Sequence, residues 1–275
     1  MLNPGDRFGD CKVEKQTEKN VMFGVLKRKW RVASLAVSET GAVRKDNQDA
    51  FFVDAAKTLF CVADGMGGGS EGATASRFVC EEIAKVAEIP DFAARMKAVD
   101  SAIGAANARI RAYSQEKGFK QMGTTVAVLL VNPADARKGV ICHVGDSRIY
   151  RVRGGAAELL TKDHTIGGQL SEFATGDAAA GLRNRRNPLA HVLTRAIGVE
   201  EKVAGDWRKL DIEKNDRYLV CSDGVHDVIA DSQIGDILTV SQDIEEASKR
   251  LSDEIVRNGA PDNYTYVMIK IGDGK

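Results

Sequence analysis

The apolar positions along the chain change rhythm several times, and each change predicts an element. Residues 1 to 30 are polar and aperiodic and end in the basic cluster Lys27, Arg28, Lys29 and Arg31, which predicts an N-terminal arm with solvated charges. From Val32, short runs rich in Val, Phe and Leu follow one another between turn formers: Val32 to Val37, Ala50 to Val53 and Thr58 to Ala63. Such runs predict strands. Two helical stretches follow. In the first, Ala75, Phe78, Val79, Ile83 and Val86 recur at three- and four-residue steps; in the second, Phe92, Met96, Val99, Ile103, Ala106, Ile110 and Tyr113 make one stripe. The stripe sustains only about three heptads, which predicts a helix lying on a sheet rather than a dimerising coil.

After Gly123 the strand rhythm returns over Thr125 to Val131, Gly139 to Val144, Arg148 to Arg153 and Glu158 to Leu160. Residues 165 to 190 break it with Gly167, Gly168, an Ala/Gly stretch from Ala174 to Gly181 and the basic run Arg183, Arg185 and Arg186. That break predicts a mobile surface excursion within the domain. A strand over Arg217 to Cys221, helices from Ser232 and over Ile244 to Arg257, and a strand over Tyr264 to Ile271 complete the pattern. The order of strands, helices, strands, helices and strand predicts an α+β fold with antiparallel pairing rather than a doubly wound parallel sheet.

Composition narrows the function classes. Of 275 residues, 39 are Lys or Arg and 39 are Asp or Glu, so the formal charge is zero and nucleic-acid binding by bulk charge is excluded. Hydrophobic residues at 43% and charged residues at 28% describe an ordinary globular chain. The predicted organisation is the arm over 1–30 and one catalytic domain over 31–272. The longest clean apolar run, Thr124 to Val131, is far short of a bilayer span, and charges interrupt the first 20 residues, so the expectation is a cytoplasmic protein with no membrane span. Five cysteines without a Cys-x-x-Cys pair read as reduced and structural.

The chemistry lies in where five aspartates fall relative to the strands. Asp49 begins one predicted strand and Asp64 ends the next, and a short turn at Asp54 to Lys57 makes the two an antiparallel hairpin, so both carboxylates share one sheet end. Asp223 ends the strand Arg217 to Cys221 and Asp262 precedes the strand from Tyr264, which repeats the arrangement. Asp146 follows the strand Gly139 to Val144. Asp64-Gly65-Met66-Gly67-Gly68-Gly69 and Ser222-Asp223-Gly224 set glycines beside two of these carboxylates, where a backbone carbonyl can approach an ion. A single Asp-Gly is usually a turn. A nucleotide loop is the rival reading, but the Walker A lysine and the G-x-G-x-x-G spacing are both missing.

Crowded carboxylates repel, and divalent cations remove the conflict. An all-oxygen donor set suits Mg²⁺ or Mn²⁺, whereas His143, His164, His191 and His226 form no zinc spacing and read as hydrogen-bonded or surface histidines. Two close hard cations with a bridging water make a nucleophile suited to attack on phosphorus. Arg44, five residues before Asp49, can supply a guanidinium fork to the phosphate.

Seven motifs occur in order: Arg44-Lys45-Asp46-Asn47-Gln48-Asp49, Asp64-Gly65-Met66-Gly67-Gly68, Gly123-Thr124-Thr125, His143-Val144-Gly145-Asp146-Ser147-Arg148, Leu193-Thr194-Arg195-Ala196-Ile197-Gly198, Ser222-Asp223-Gly224 and Asp262-Asn263. Together, over roughly residues 32 to 271, they resemble the metal-dependent serine/threonine protein phosphatases of the 2C family, in the bacterial form. The resemblance implies an αββα sandwich, two antiparallel sheets covered by helix pairs, with metals at one end. It implies that Asp49, Asp64, Asp223 and Asp262 ligate two Mn²⁺ or Mg²⁺ ions together with the Gly65 carbonyl, that Arg44 holds the substrate phosphate, and that Asp146 joins Asp223 at a third metal. The segment 165 to 190 corresponds to the family's flap, where Arg183, Arg185 and Arg186 could meet phosphopeptide. Met66 stands where animal members carry a histidine considered a general acid, and Gln48 where many carry Glu.

The implied activity is hydrolysis of phosphoserine and phosphothreonine on proteins by direct attack of a metal-bridging water, opposing a bacterial Ser/Thr kinase. The expected protein is a monomer. Two other classes were weighed: a silent member that binds phosphoproteins, which usually lacks some of the metal-site aspartates kept here, and a hydrolase of small phosphate esters or nucleotides.

Overall fold

Both faces of the central strands are apolar, and the fold covers both. The computed structural model describes residues 7–8, 31–68, 70–119, 121–183 and 187–272. Cys11, Lys27, Arg28, Lys29, Arg185 and Arg186 lie outside the described residues. The chain runs β1 (Arg7–Phe8), β2 (Arg31–Glu39), β3 (Asp49–Val53), β4 (Leu59–Met66), α1 (Ser70–Ala84) and α2 (Phe92–Lys117). It continues through β5 (Gly123–Thr124), β6 (Val126–Val131), β7 (Lys138–Val144), β8 (Arg148–Arg153), β9 (Ala156–Leu159), α3 (Ile166–Ser171) and α4 (Gly176–Arg183). The last elements are β10 (Asp206–Asp211), β11 (Arg217–Cys221), α5 (Asp223–His226), α6 (Asp231–Val240), α7 (Ile244–Arg257) and β12 (Tyr264–Gly272).

Among the described residues the strands form two antiparallel sheets, one in the order β1-β3-β4-β6-β7-β10 with β5 on β4, the other β2-β12-β11-β8-β9. Alternate side chains of each strand enter different cores, as a period of two requires. Phe60 and Val62 of β4 meet Tyr218 and Val220 of β11 and Val267 and Ile269 of β12 between the sheets. Cys61 of β4 and Val128 of β6 face outward onto Val79 and Ile83 of α1 and Ile103 and Ile110 of α2. Leu219 of β11 and Met268 of β12 face Ile234 of α6 and Leu251 and Ile255 of α7. The layers are therefore helices, sheet, sheet, helices: the αββα sandwich that was expected. The α2 stripe lies on its sheet.

A local device sets the register of the β3–β4 hairpin. Asp54 Oδ1 accepts from the Thr58 and Leu59 amides at 2.6 and 2.7 Å, and its Oδ2 accepts from Thr58 Oγ1 at 2.8 Å. This closes the turn at a length that puts Asp49 directly opposite Asp64. At the other end of α2, Asp91 accepts from the Ala94 amide at 2.7 Å and Gly118 terminates the helix in the left-handed region.

Three features add to these expectations. The segment 165–190, expected as a mobile surface excursion, holds α3, capped by the Thr165 side chain, then α4 and a 3₁₀ turn over Pro188–His191. Helices of six and eight residues are too short to show a periodic apolar stripe. β10 has no counterpart in the sequence reading, because only Leu210 of its six residues is buried; it is an edge strand held to β7 by its backbone. Finally, Arg7–Phe8, inside the predicted arm, pairs with β3. Cys61, Cys80, Cys142 and Cys221 are free and buried, as a reduced, structural role requires. Among the described residues, no helix is long and apolar enough to cross a membrane.

Candidate active site

The cross-strand pair Asp49 and Asp64 fixes the site at one end of the sandwich. β11 ends two residues before Asp223, and β12 begins two residues after Asp262, so the second sheet delivers its carboxylates to the same end. Arg44, Asp64, Gly65, Asp146, Asp223 and Asp262 all line a single cleft of about 1310 Å³. Asp49 lies beneath its floor, buried. All seven residues singled out in the sequence are thus gathered in one place. Met66 and Gln48 line the same cleft.

Asp49 is the most telling of them. Its Oδ2 accepts from Ser222 Oγ at 2.7 Å, which ties the start of β3 to the end of β11 across the two sheets. Among the described residues its Oδ1 is buried without a hydrogen-bond partner. Burial foremost, with the nearby Asp223 and Asp262 charges, pushes its carboxyl from the ordinary value of 3.8 up to about 7, against the opposing pull of the Ser222 and Thr265 hydrogen bonds. Asp64 is raised well above the ordinary range by burial, then by Asp223 and Asp49, with Asp146 contributing further. A buried acceptor without a donor is costly to leave in that state. A hard cation would satisfy it.

Asp262 accepts from Arg44 Nη2 at 2.6 Å through Oδ2 and from the Asn263 amide at 2.8 Å through Oδ1. The Arg44 guanidinium, held more firmly charged by that contact, is the counter-charge on this wall. Among the described residues no three His, Cys, Asp or Glu side chains already stand at metal-holding spacing. The carboxylates converge on one cleft without closing on a point, as mutual repulsion dictates. Their donor atoms are all oxygens, which fits Mg²⁺ or Mn²⁺ and not zinc.

The sequence profile described as Protein phosphatase 2C matches residues 39–260. The chain belongs to the protein phosphatase 2C family. The serine/threonine protein phosphatase PstP of Mycobacterium tuberculosis is 32% identical over 239 residues, which cover 86% of this chain and 45% of PstP. The chain therefore spans less than half the length of that relative. Protein phosphatase PhpP of Streptococcus pneumoniae is 27% identical over 249 residues, 86% of this chain and 96% of PhpP. The catalytic domain of PstP, solved in complex with two manganese ions, superposes with a TM-score of 0.76 at 30% identity, covering 89% of this chain and all of that one.

Within this 2C-family chain, several residues that support the site carried no signal of their own in the sequence. Asn263 Nδ2 donates to the carbonyls of Thr40 and Asp46 at 2.8 and 3.0 Å, while its Oδ1 accepts from the Gln48 amide at 2.9 Å. One amide side chain thus holds the whole loop that presents Arg44 and Gln48. Thr125 Oγ1 accepts from the Asp64 amide at 3.0 Å and bonds Ser147 Oγ at 2.6 Å, linking the two aspartate-bearing turns. Both residues stand in quoted motifs, yet their partners are far away in the chain.

Proposed function

We propose that the chain, through a catalytic unit spanning 31–272, is a divalent-metal-dependent phosphatase that hydrolyses phosphoserine and phosphothreonine on proteins. The observation that carries this reading is the buried Oδ1 of Asp49, without a hydrogen-bond partner among the described residues, at the root of a cleft walled by four more aspartates, with Arg44 among its arginines. Asp49, Asp64, Asp223 and Asp262, with the Gly65 carbonyl, would hold two Mn²⁺ or Mg²⁺ ions, and Asp146 with Asp223 a third. When bound, such ions supply charge neutralisation at the phosphate and a water acidic enough to act near neutral pH.

The chain's own groups do the remainder. Arg44, half exposed at the mouth, orients the phosphate with a planar fork of donors. Ser222 and Asn263 fix the carboxylates and the Arg44 loop before substrate arrives. None of the four described cysteines lines the cleft, so no thiol is offered for a covalent phosphoenzyme, in keeping with direct attack by water. The substrates would be made by a Ser/Thr kinase, and the protein would work as a cytoplasmic monomer. The deciding assay compares a phosphothreonine peptide with a nucleoside triphosphate, each with and without Mn²⁺. Turnover of the peptide alone, abolished by chelation, supports the reading; nucleotide turnover or full activity after chelation overturns it.

Two further outcomes are expected. Arg44→Ala should raise KM for phosphopeptide about ten- to a hundredfold, the value of one charge-assisted contact, with Mn²⁺ affinity changed far less. Equal losses in both would remove Arg44 from the phosphate. The second concerns pH. A carboxyl raised in the folded state contributes stability below its ordinary pKa that is lost as pH rises through the raised one, here between about 4 and about 7 for Asp49. Cation binding needs the deprotonated form. The shift in unfolding temperature produced by Mn²⁺ should therefore be small at pH 5 and full above pH 7; an equal shift at both would contradict the site.

A further inference from the structure

The turn that carries Asp146 is gripped at both of its peptides by histidines from elsewhere in the chain. Gly145 has φ +99°, and a Cβ there would meet Thr125 Cγ2 at 2.5 Å, so this residue has no side chain with which to anchor itself. Its amide donates to His164 Nδ1 at 3.0 Å, its carbonyl accepts from the His164 backbone amide at 3.0 Å, and the Asp146 carbonyl accepts from His226 Nε2 at 3.1 Å. Because a backbone N–H only donates, His164 Nδ1 carries the lone pair and the ring proton belongs to Nε2. Asp206 Oδ2 receives that proton at 3.1 Å. Arg195 Nη1, 3.3 Å from the same nitrogen, directs its hydrogens to Asp206 Oδ1 and, at 3.4 Å, to the Ala204 carbonyl.

The imidazole is held in this one state. It is buried and stacked on His143 with centroids 4.6 Å apart, and burial first, then His143, lowers its pKa to about 4. Its backbone is equally committed. The His164 carbonyl accepts from the Thr194 amide at 2.8 Å and the Ile166 amide reaches the Val192 carbonyl at 2.9 Å, which closes the base of the 165–190 segment. His164 thus stands where that segment leaves the sandwich, bonded through its ring and its backbone amide to the two polar groups of Gly145, the residue before Asp146.

We propose that the His164 ring is a positioning group for Asp146: by accepting the Gly145 amide, beside the backbone bond from the His164 amide to the Gly145 carbonyl, it fixes the residue that precedes this carboxylate and ties it to the base of the 165–190 segment. The proposal rests on the reading of Asp146 as a ligand of an additional cation. Supporting hydrogen bonds of this kind are worth about ten- to a hundredfold in metal affinity or activity.

Two amide substitutions separate positioning from bulk. In His164→Asn the side-chain oxygen can stand in for Nδ1 and accept from Gly145; in His164→Gln the longer amide reaches toward Asp206 and leaves Gly145 without its acceptor. The measurements are hydrogen exchange of the Gly145 amide without metal, the number and affinity of Mn²⁺ ions by titration calorimetry, and turnover of phosphopeptide against an aryl phosphate. Asp146→Ala is run alongside, and thermal unfolding confirms the fold of each variant. The Asn variant should resemble the wild type. The Gln variant should exchange Gly145 at least about tenfold faster and bind the weakest Mn²⁺ about tenfold less tightly, with the tight sites unchanged. Asn and Gln variants that behave alike, or that both lose the fold, overturn the positioning role. If Asp146→Ala lowers the Mn²⁺ count while the Gln variant matches the wild type, His164 alone is misassigned. If Asp146→Ala leaves the count unchanged, the additional cation is refuted and the role of His164 falls with it.

Discussion

Asp64→Asn should abolish phosphatase activity while making the metal-free protein more resistant to heat. The two effects have one cause. Asp64 is half-buried beside Asp223, Asp49 and Asp146, and the desolvation and like charges that lift its pKa are a folding cost at any pH where it is ionised. In the folded chain a raised carboxyl stabilises only below its ordinary pKa near 4, and that contribution disappears as pH rises. As pH rises above that value the wild type without cations carries a growing share of this cost, and an uncharged amide of the same size does not. The gain in unfolding temperature should be larger at pH 7.5 than at pH 4.5, where little of that cost has accrued. Activity moves the other way. Losing one carboxylate from the proposed metal centre forfeits several kcal/mol of transition-state stabilisation, roughly a thousandfold or more in turnover. Asp223→Asn should lose activity to a similar extent. Thermal scans without metal at the two pH values, with phosphopeptide turnover at saturating Mn²⁺, test the pair of effects together. An Asp64→Asn protein that melts earlier at pH 7.5 would mean that Asp64 is held by structural partners rather than by the cation site.

Much of this site was legible because its aspartates are local signals. Asp49, Asp64, Asp223 and Asp262 each sit at or beside a strand terminus, and antiparallel pairing alone predicts that hairpin neighbours share an end. The core was legible for a related reason: both faces of β4, β6, β11 and β12 are covered, so their sequences are continuous apolar runs. Position on the wrong side of such a signal made β10 invisible, since an exposed edge strand needs only a backbone partner. Ser222, Asn263, His164 and Asp206 escaped for a different reason. They act through partners set by the fold, 19 residues away for Gly145 to His164 and 223 for Thr40 to Asn263, and sequence spacing carries no information about such contacts. The sequence reads the histidines as hydrogen-bonded or surface groups, but which peptides they hold is a property of the fold alone.

Gly65→Ala should be strongly disruptive, and Gly68→Ala, three residues on, nearly silent. The glycine-rich stretch Asp64 to Gly68 invites the reading that its glycines serve a phosphate-cradling loop, in which case both changes would matter to ligand binding. The structure separates them. A Cβ on Gly65 would lie 2.0 Å from the Gly72 carbonyl oxygen and 2.6 Å from that of Gln48. Both obstacles are backbone, and neither can yield cheaply. The Gly65 amide donates to the Gln48 carbonyl at 3.1 Å, which also accepts from Ser76 Oγ at 2.6 Å, so the Gln48 peptide is pinned from two sides. Gly72 lies on α1, whose start is thereby pressed against the end of β4. Relief requires moving either α1 or the Gln48–Asp49 peptide, and the second route displaces a carboxylate of the proposed metal centre. On Gly68 the nearest atom to a new Cβ is Glu71 Oε2 at 3.8 Å, an ordinary contact. Overpacking against backbone costs about 1–3 kcal/mol or more. Gly65→Ala should therefore lower stability by at least that amount and reduce turnover at saturating Mn²⁺, even in the fraction that remains folded. Denaturant unfolding and Mn²⁺ titration of both variants decide between the two accounts. If Gly68→Ala weakens phosphate binding as strongly as Gly65→Ala, the loop cradles phosphate after all; if only Gly65→Ala fails, the glycine is there to let β4, α1 and the Gln48 turn meet behind the carboxylates.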